Sequence, residues 1–382
     1  MGAVQGDMAG TVIERGRRIR GIMDKLKSRI YPNRRDEDTS PSARPVQSRL
    51  WPGLLSLLAI LLILSGCSPR TGNAPSTGNE ELHLTPLAAL EARTLAPGHR
   101  LHVVATTSIV GDVVGQVGGE TIDMHVLMPL GVDPHTYEPA PRDIQAIAEA
   151  NVVFLSGLGL EEALLPRLVN AGGEASFVSL SEGITPLGLG AAGTPESGQA
   201  ANGRELESVD PHVWQDPTNV IRWTENAAEA LSRLDPASAD DYYQRADAYR
   251  DELFRLDAEI QSMVASVPAG ERKLVTDHDD LAYFAARYGF EIVGAVIPAY
   301  STSAEPSAQE ISQLEVAVKQ LGVKAVFVGV EANPALSRRV TEDAGVRLVA
   351  IYADSLSDVN GPAPNYIQLM QYNVKAIVDA LK

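Results

Sequence analysis

Three histidines stand in strand-to-loop contexts with polar neighbours: His135 in Asp133-Pro134-His135, His212 in Asp210-Pro211-His212, and His278 in Thr276-Asp277-His278-Asp279-Asp280. Proline fixes its own φ and biases the preceding residue towards extended backbone, so His135 and His212 sit on stiff chain. Asp133 and Asp210 can each accept a hydrogen bond from local backbone or from the imidazole N–H. The second role would set the ring tautomer and raise its basicity as a ligand. A fourth candidate, Asp354, lies in Ala353-Asp354-Ser355. Singly, each motif has a plain structural alternative: Asp-Pro-His is a turn, His278 a helix start or surface residue, and Asp354 a helix N-cap. Together they share a position. All four fall at the carboxyl ends of strands expected to be parallel, where open α/β sheets place their ligands.

The elements that would carry them alternate. Strands are expected at 101–105, 124–128, 151–156 and 176–180, with helices at 109–118 and 142–150. Residues 183–208 are rich in Gly, Ala, Ser, Thr and Pro and read as a surface loop without histidine. Helices follow at 218–233 and 237–265. The second has apolar positions Tyr242, Ala246, Tyr249, Leu253, Leu256 and Ile260 at helical spacing, and its length of ~43 Å suits a bridge between two lobes. The alternation then restarts, with strands at 273–276, 291–297, 324–330 and 347–352 and helices at 281–288, 307–321, 334–344 and 366–381. The fold class is therefore α/β. Two lobes, each a roughly four-stranded parallel sheet flanked by helices, are joined by one long helix, with the site in the interlobe cleft.

Of 382 residues, 32 are Lys or Arg and 49 are Asp or Glu, giving a net charge of −17. This argues against a nucleic-acid partner, which needs clustered cations. The first 66 residues nonetheless carry 11 basic and 6 acidic side chains. A basic head on an acidic body is the asymmetry of an exported protein. The apolar run at 50–64 would span ~22 Å as a helix, short of the ~30 Å hydrocarbon core, so it reads as the hydrophobic region of a signal peptide. Leu64-Ser65-Gly66-Cys67 resembles a bacterial lipobox, which implies lipidation of Cys67. Cys67 is the one cysteine, which excludes an internal disulfide and a thiolate zinc cluster. The expected organisation is a basic segment with lipoprotein signal (1–66), a flexible tether (67–98), an N-terminal lobe (99–235), a linking helix (236–266) and a C-terminal lobe (267–382). His83 and His99 fall in the tether, and His102 and His125 inside strands.

The stretches Gly131-Val132-Asp133-Pro134-His135-Thr136-Tyr137-Glu138-Pro139, Asp210-Pro211-His212-Val213-Trp214-Gln215-Asp216-Pro217, Thr276-Asp277-His278-Asp279-Asp280-Leu281-Ala282-Tyr283-Phe284 and Ala353-Asp354-Ser355-Leu356 resemble four signature stretches. These belong to the metal-binding lipoproteins of manganese/zinc ABC importers, the cluster A-I solute-binding proteins. The similarity runs from about residue 101 to the C-terminus. It implies one divalent ion held by His135 and His212 from the first lobe and His278 and Asp354 from the second, with a rigid interlobe helix. It also implies an ABC permease as partner, a monomer anchored by lipid on Cys67, and a place on the outer face of the cytoplasmic membrane. Three imidazoles and a carboxylate suit Zn²⁺, and also Mn²⁺ if the carboxylate binds through both oxygens. Within the family, glutamate at the place of His278 goes with manganese, so histidine leans to zinc. The missing histidine run in the 183–208 loop pulls the other way.

Two other readings compete. A zinc hydrolase would need an open coordination position and a general base, for which Asp279, Asp280 or Glu305 are available, but four filled positions leave no room for activated water. A surface adhesin needs no metal transport, and no sequence feature marks an adhesive surface.

Overall fold

Both alternations wind into sheets of the same topology. The computed structural model describes residues 84–96, 98–188 and 209–382. The apolar run at 50–64, Cys67, His83 and residues 189–208 lie outside the described residues.

The first lobe runs β1 (Leu101–Ala105), α1 (Ser108–Gly118), β2 (Ile122–Val126), α2 (Pro141–Glu149), β3 (Val152–Leu155), α3 (Leu165–Ala171) and β4 (Ser176–Ser179). Then come α4 (Pro217–Leu234) and the 27-residue α5 (Ala239–Ala265). The second lobe runs β5 (Lys273–His278), α6 (Ala282–Tyr288), β6 (Glu291–Ile297), α7 (Ala308–Leu321), β7 (Ala325–Gly329), α8 (Ala335–Ala344), β8 (Arg347–Ile351) and α9 (Tyr366–Leu381). The sheets are ordered β2-β1-β3-β4 and β6-β5-β7-β8, and all pairings are parallel. In each, the order reverses beside the first strand, which creates a switch point where the loops at the carboxyl ends diverge. β3 and β7 are buried along their whole length, as expected for strands covered on both faces.

One apolar core crosses both lobes. It takes in Leu101, Val113 and Phe154 from the first, Leu274, Phe327 and Ile377 from the second, and Trp223, Tyr249 and Leu256 from α4 and α5. The linking helix is pinned at both ends by polar contacts as well. Arg245 donates to the carbonyls of Val117 and Gly118 at the end of α1. Twelve residues on, Asp257 accepts a paired contact from Arg287 and a hydrogen bond from the Tyr288 hydroxyl. The bidentate Arg–carboxylate geometry fixes orientation as well as distance.

Several boundaries differ from the sequence reading. β2 lies at Ile122–Val126 rather than 124–128, because Ile122 pairs with Leu101 at the start of the ladder. β5 extends through His278 instead of stopping at Thr276. α3 has only seven residues, too few to show a helical period, and was not expected. Residues 85–95, placed in the flexible tether, pack on the first lobe. Leu87 and Leu90 enter the core, the Thr85 N–H donates to the carbonyl of Phe177, and Arg93 donates to the carbonyl of Glu174 and to Ser176.

Candidate metal centre

His212 is fixed first. Asp216 caps α4, accepting from the Thr218 N–H, with Pro217 at the first helical position. The tight turn Val213–Gln215 between the cap and His212 turns the imidazole inwards. Asp210 accepts from the His212 backbone N–H at 2.9 Å and, with the same oxygen, faces His212 Nδ1 at 2.8 Å. With the Nδ1 proton donated to Asp210, the His212 Nε2 lone pair is free to point at the centre. Trp214 packs edge-on against the ring.

The other Asp-Pro-His turn is built differently. Asp133 accepts from the His135 backbone N–H at 2.8 Å, but its other oxygen accepts from Thr302 of the second lobe. It holds the loop rather than the imidazole. His278 arrives from the end of β5, its Nδ1 3.4 Å from Asp277. Asp354 follows β8 and caps no helix; Asn365 is the N-cap of α9. Instead, the N–H groups of Asp354 and Ser355 both donate to one oxygen of Glu331 at 2.7 Å.

The four side chains converge. One donor atom from each of His135, His212, His278 and Asp354 lies within 4.8 Å of every other. His135 Nε2 is 3.2 Å and His278 Nε2 3.3 Å from His212 Nε2, and His278 Nε2 is 3.8 Å from Asp354 Oδ2. A tetrahedral ion with bonds of ~2.0–2.1 Å has donor-to-donor edges of ~3.3 Å. Facing lone pairs at such distances repel unless a proton or cation lies between them. Among the described residues, Asp354 Oδ1 is buried with no hydrogen-bond partner, as a donor reserved for a cation would be. The donor set therefore fits a divalent transition ion.

Charge around the site is lopsided. Burial, reinforced by the neighbouring imidazoles, holds His135 and His212 well below the ordinary histidine pKa. Burial also works against charge on His278, but Asp280, Asp277 and Asp354 outweigh it and hold its pKa well above the usual range. Burial pushes Asp354 well above its usual value and Asp210 up to about 7.

His135 is the most accessible of the four. It lines a cavity of about 310 Å³ together with Leu158, Glu162, Pro211, Pro298 and Tyr300, while His212, His278 and Asp354 are buried behind it. The first-lobe rim is strained. Leu158 sits at φ 54° between two glycines that are also at positive φ. A Cβ at Gly157 would lie 2.0 Å from Ser179 Oγ. The loop is pinned by buried Glu161, which accepts from Thr106 Oγ1 and from the N–H groups of Ser156 and Gly157.

Of the other sequence candidates, Asp280 is buried beside His278, Asp279 is half-buried and Glu305 is exposed. His102 and His125 lie on strands away from the cluster, near Asp123 and Asp143 respectively. Glu331 was missed, and only the fold brings it to Asp354. Asp277 was legible as a carboxylate adjoining a candidate histidine.

A family profile described as zinc-uptake complex component A, periplasmic, matches residues 103–380. A manganese-binding lipoprotein MntA of Halalkalibacterium halodurans is 32% identical over 326 residues, covering 85% of this chain and 96% of its own. A manganese ABC transporter substrate-binding lipoprotein PsaA of Streptococcus mitis is 30% identical over 293 residues, covering 75% and 91%. Among solved structures, the periplasmic zinc-binding protein TroA of Treponema pallidum aligns with TM-score 0.66 at 28% identity, covering 74% of this chain and 99% of its own. A cadmium-bound periplasmic metal-binding protein from Candidatus Liberibacter asiaticus shares the fold, with TM-score 0.64 at 24% identity over 74% of this chain and all of its own.

Proposed function

The chain belongs to the family of periplasmic zinc-uptake complex component A, and we propose that it captures a divalent transition metal outside the cytoplasm and hands it to an ABC importer permease. The ligands are His135, His212, His278 and Asp354, with Asp210 orienting one imidazole and Asp133 the loop of another. The carrying observation is the approach of three imidazole Nε2 atoms and a carboxylate with an unpartnered oxygen to one point.

Relatives are named for manganese, zinc and iron. The three-nitrogen set favours zinc over manganese at equilibrium, since manganese stands lowest in the first-row order, which peaks at copper just before zinc. Manganese remains the second cargo to test. The same reading keeps the chain monomeric, exported and anchored by lipid on Cys67. It also keeps the division into signal segment, tether, lobe 99–235, linking helix 236–266 and lobe 267–382, with the tether shortened to end before Thr85, whose N–H bonds the first lobe.

Metal analysis and competitive titration of Zn²⁺ against Mn²⁺ on the purified protein test this reading. One equivalent bound by the native protein, and none by His212→Ala, is the expected result. Native-like binding by a His135→Ala, His212→Ala double variant would remove these residues from the site.

A further inference from the structure

We propose that Asp280 is a positioning residue of the metal centre, a buried carboxylate kept without a hydrogen-bond partner so that its charge acts on His278. The inference rests on the metal-capture reading above and adds to it a residue outside the four ligands.

Asp280 is 0% exposed, and among the described residues neither of its carboxylate oxygens has a hydrogen-bond partner. Its backbone N–H turns back onto the His278 carbonyl at 3.0 Å, which folds the chain tightly after β5. One oxygen of Asp280, one of Asp277 and one ring nitrogen of His278 lie within 4.8 Å of one another. Asp280 is not part of the four-ligand cluster, so it approaches His278 without joining the proposed coordination sphere.

The two ring nitrogens of His278 have different surroundings. Nε2 faces His212 and Asp354. Nδ1 faces Asp277 at 3.4 Å, a long contact for a hydrogen bond. Asp277 is also shared, because its other oxygen accepts from the Gly329 N–H at 3.2 Å. The nearer carboxylate is thus a weak and divided acceptor, whereas Asp280 is undivided.

A buried carboxylate without hydrogen bonds disfavours the fold that contains it. The attraction of Asp280 for the neighbouring His278 ring offsets part of that cost in the metal-free protein, so its net contribution to stability there is small or unfavourable. Its charge gains more when a divalent cation binds the same imidazole and makes the site more positive. Carboxylates hydrogen-bonded to metal-bound histidines act in this way, and removing one typically weakens metal binding about 10- to 100-fold. Asp280, within 4.8 Å but without that hydrogen bond, acts through its charge and belongs at the lower end of the range. The two effects have opposite signs, which separates a positioning role from a structural one.

The test uses the full chain and its Asp280→Asn and Asp280→Ala variants. Asp279→Asn, which removes the same charge from the half-buried neighbour, is the control. Melting temperature is read without metal, and Zn²⁺ and Mn²⁺ affinities are read by chelator competition. We expect the Asp280 variants to bind Zn²⁺ about 10-fold more weakly or worse, with a metal-free melting temperature equal to or above the native value in at least one of them, and Asp279→Asn to stay within about twofold. Native-like affinity in the Asp280 variants overturns the inference. So does a lower metal-free melting temperature in both, or an equal loss in Asp279→Asn. Native protein and His212→Ala run in parallel. If native protein binds neither ion, or His212→Ala binds normally, the metal-capture reading falls and this inference with it. If His212→Ala loses binding while Asp280→Asn and Asp280→Ala keep it, only the inference falls.

Discussion

Trp214 donates its indole N–H to the carbonyl of Ala353 at 2.9 Å, tying the residue two places after His212 to the residue immediately before Asp354. Gln215 donates to the same carbonyl. Ser108 accepts from the Leu356 N–H, Ser355 Oγ accepts from the Gly131 N–H, and the Tyr366 hydroxyl donates to the Trp214 carbonyl. Asp112 of α1 accepts from the Tyr366 N–H at the start of α9. The segment carrying Asp354 is second-lobe in sequence, yet it is stitched to the first lobe on one side and to Glu331 on the other. Asp354 is therefore positioned by both lobes at once, whereas His278 is held by its own strand.

Trp214→Phe keeps the apolar contact with Trp223 but removes this link. Losing one buried hydrogen bond costs about 0.5–1.5 kcal/mol. We expect metal affinity to fall about three- to tenfold, because Asp354 is no longer locked in register with His212. Unchanged affinity by chelator competition would show that Gln215 alone sets the register.

The two Asp-Pro-His turns should respond differently to the same substitution. Asp210→Asn weakens the acceptor on His212 Nδ1 and should cost about 10- to 100-fold in zinc affinity. Asp133→Asn breaks no hydrogen bond to the His135 imidazole; it loosens the contacts to its backbone and to Thr302 and removes a charge that acts on the ring only at a distance. Its cost should be below about tenfold. Equal losses would mean that Asp133 acts on the ring in solution.

That difference was not legible in the sequence, where the tripeptides are identical. Proline stiffness and an adjacent carboxylate mark both histidines. What each carboxylate meets depends on Thr302, 169 residues from Asp133. Local signals did well where the element ends chemically. β6 matches its expected bounds, set off by Gly289 in the left-handed region before it. α9 starts as expected because Asn365 caps it. They did poorly where the fold decides. Leu127 and Met128 look like strand, but they only extend the hydrogen bonding to Ala105 and Thr106 past the end of β2. Glu331 lies 23 residues before the backbone it grips, with no spacing that announces it.

Binding should release protons. His278 is held well above the ordinary histidine pKa, so it enters neutral solution charged, while His135 and His212 are already neutral. A metal takes only the neutral ring, so affinity rises with pH and falls as pH drops, by about tenfold per unit for each proton displaced. As pH falls through about 7, Asp210 also becomes neutral and stops supporting His212. Calorimetric titration at pH 7.5 in buffers of different ionisation enthalpy should show about one proton or more released per ion. No release would contradict the charged state of His278.

Access to the centre should run past His135. Only this ligand lines the 310 Å³ cavity, between the Leu158 rim of the first lobe and the Pro298–Tyr300 rim of the second. Brief treatment of the metal-free protein with diethylpyrocarbonate should therefore modify His135 well before His212 or His278, which are at most 1% exposed. His102 and His125, both largely exposed, serve as internal references that metal should not protect. Bound zinc occupies the His135 lone pair and should suppress its modification alone. Mapping by mass spectrometry distinguishes this from the opposite outcome: simultaneous modification of all three clustered histidines would mean that the lobes separate in the metal-free protein and expose the whole site, and the cavity would then not be the route the ion takes.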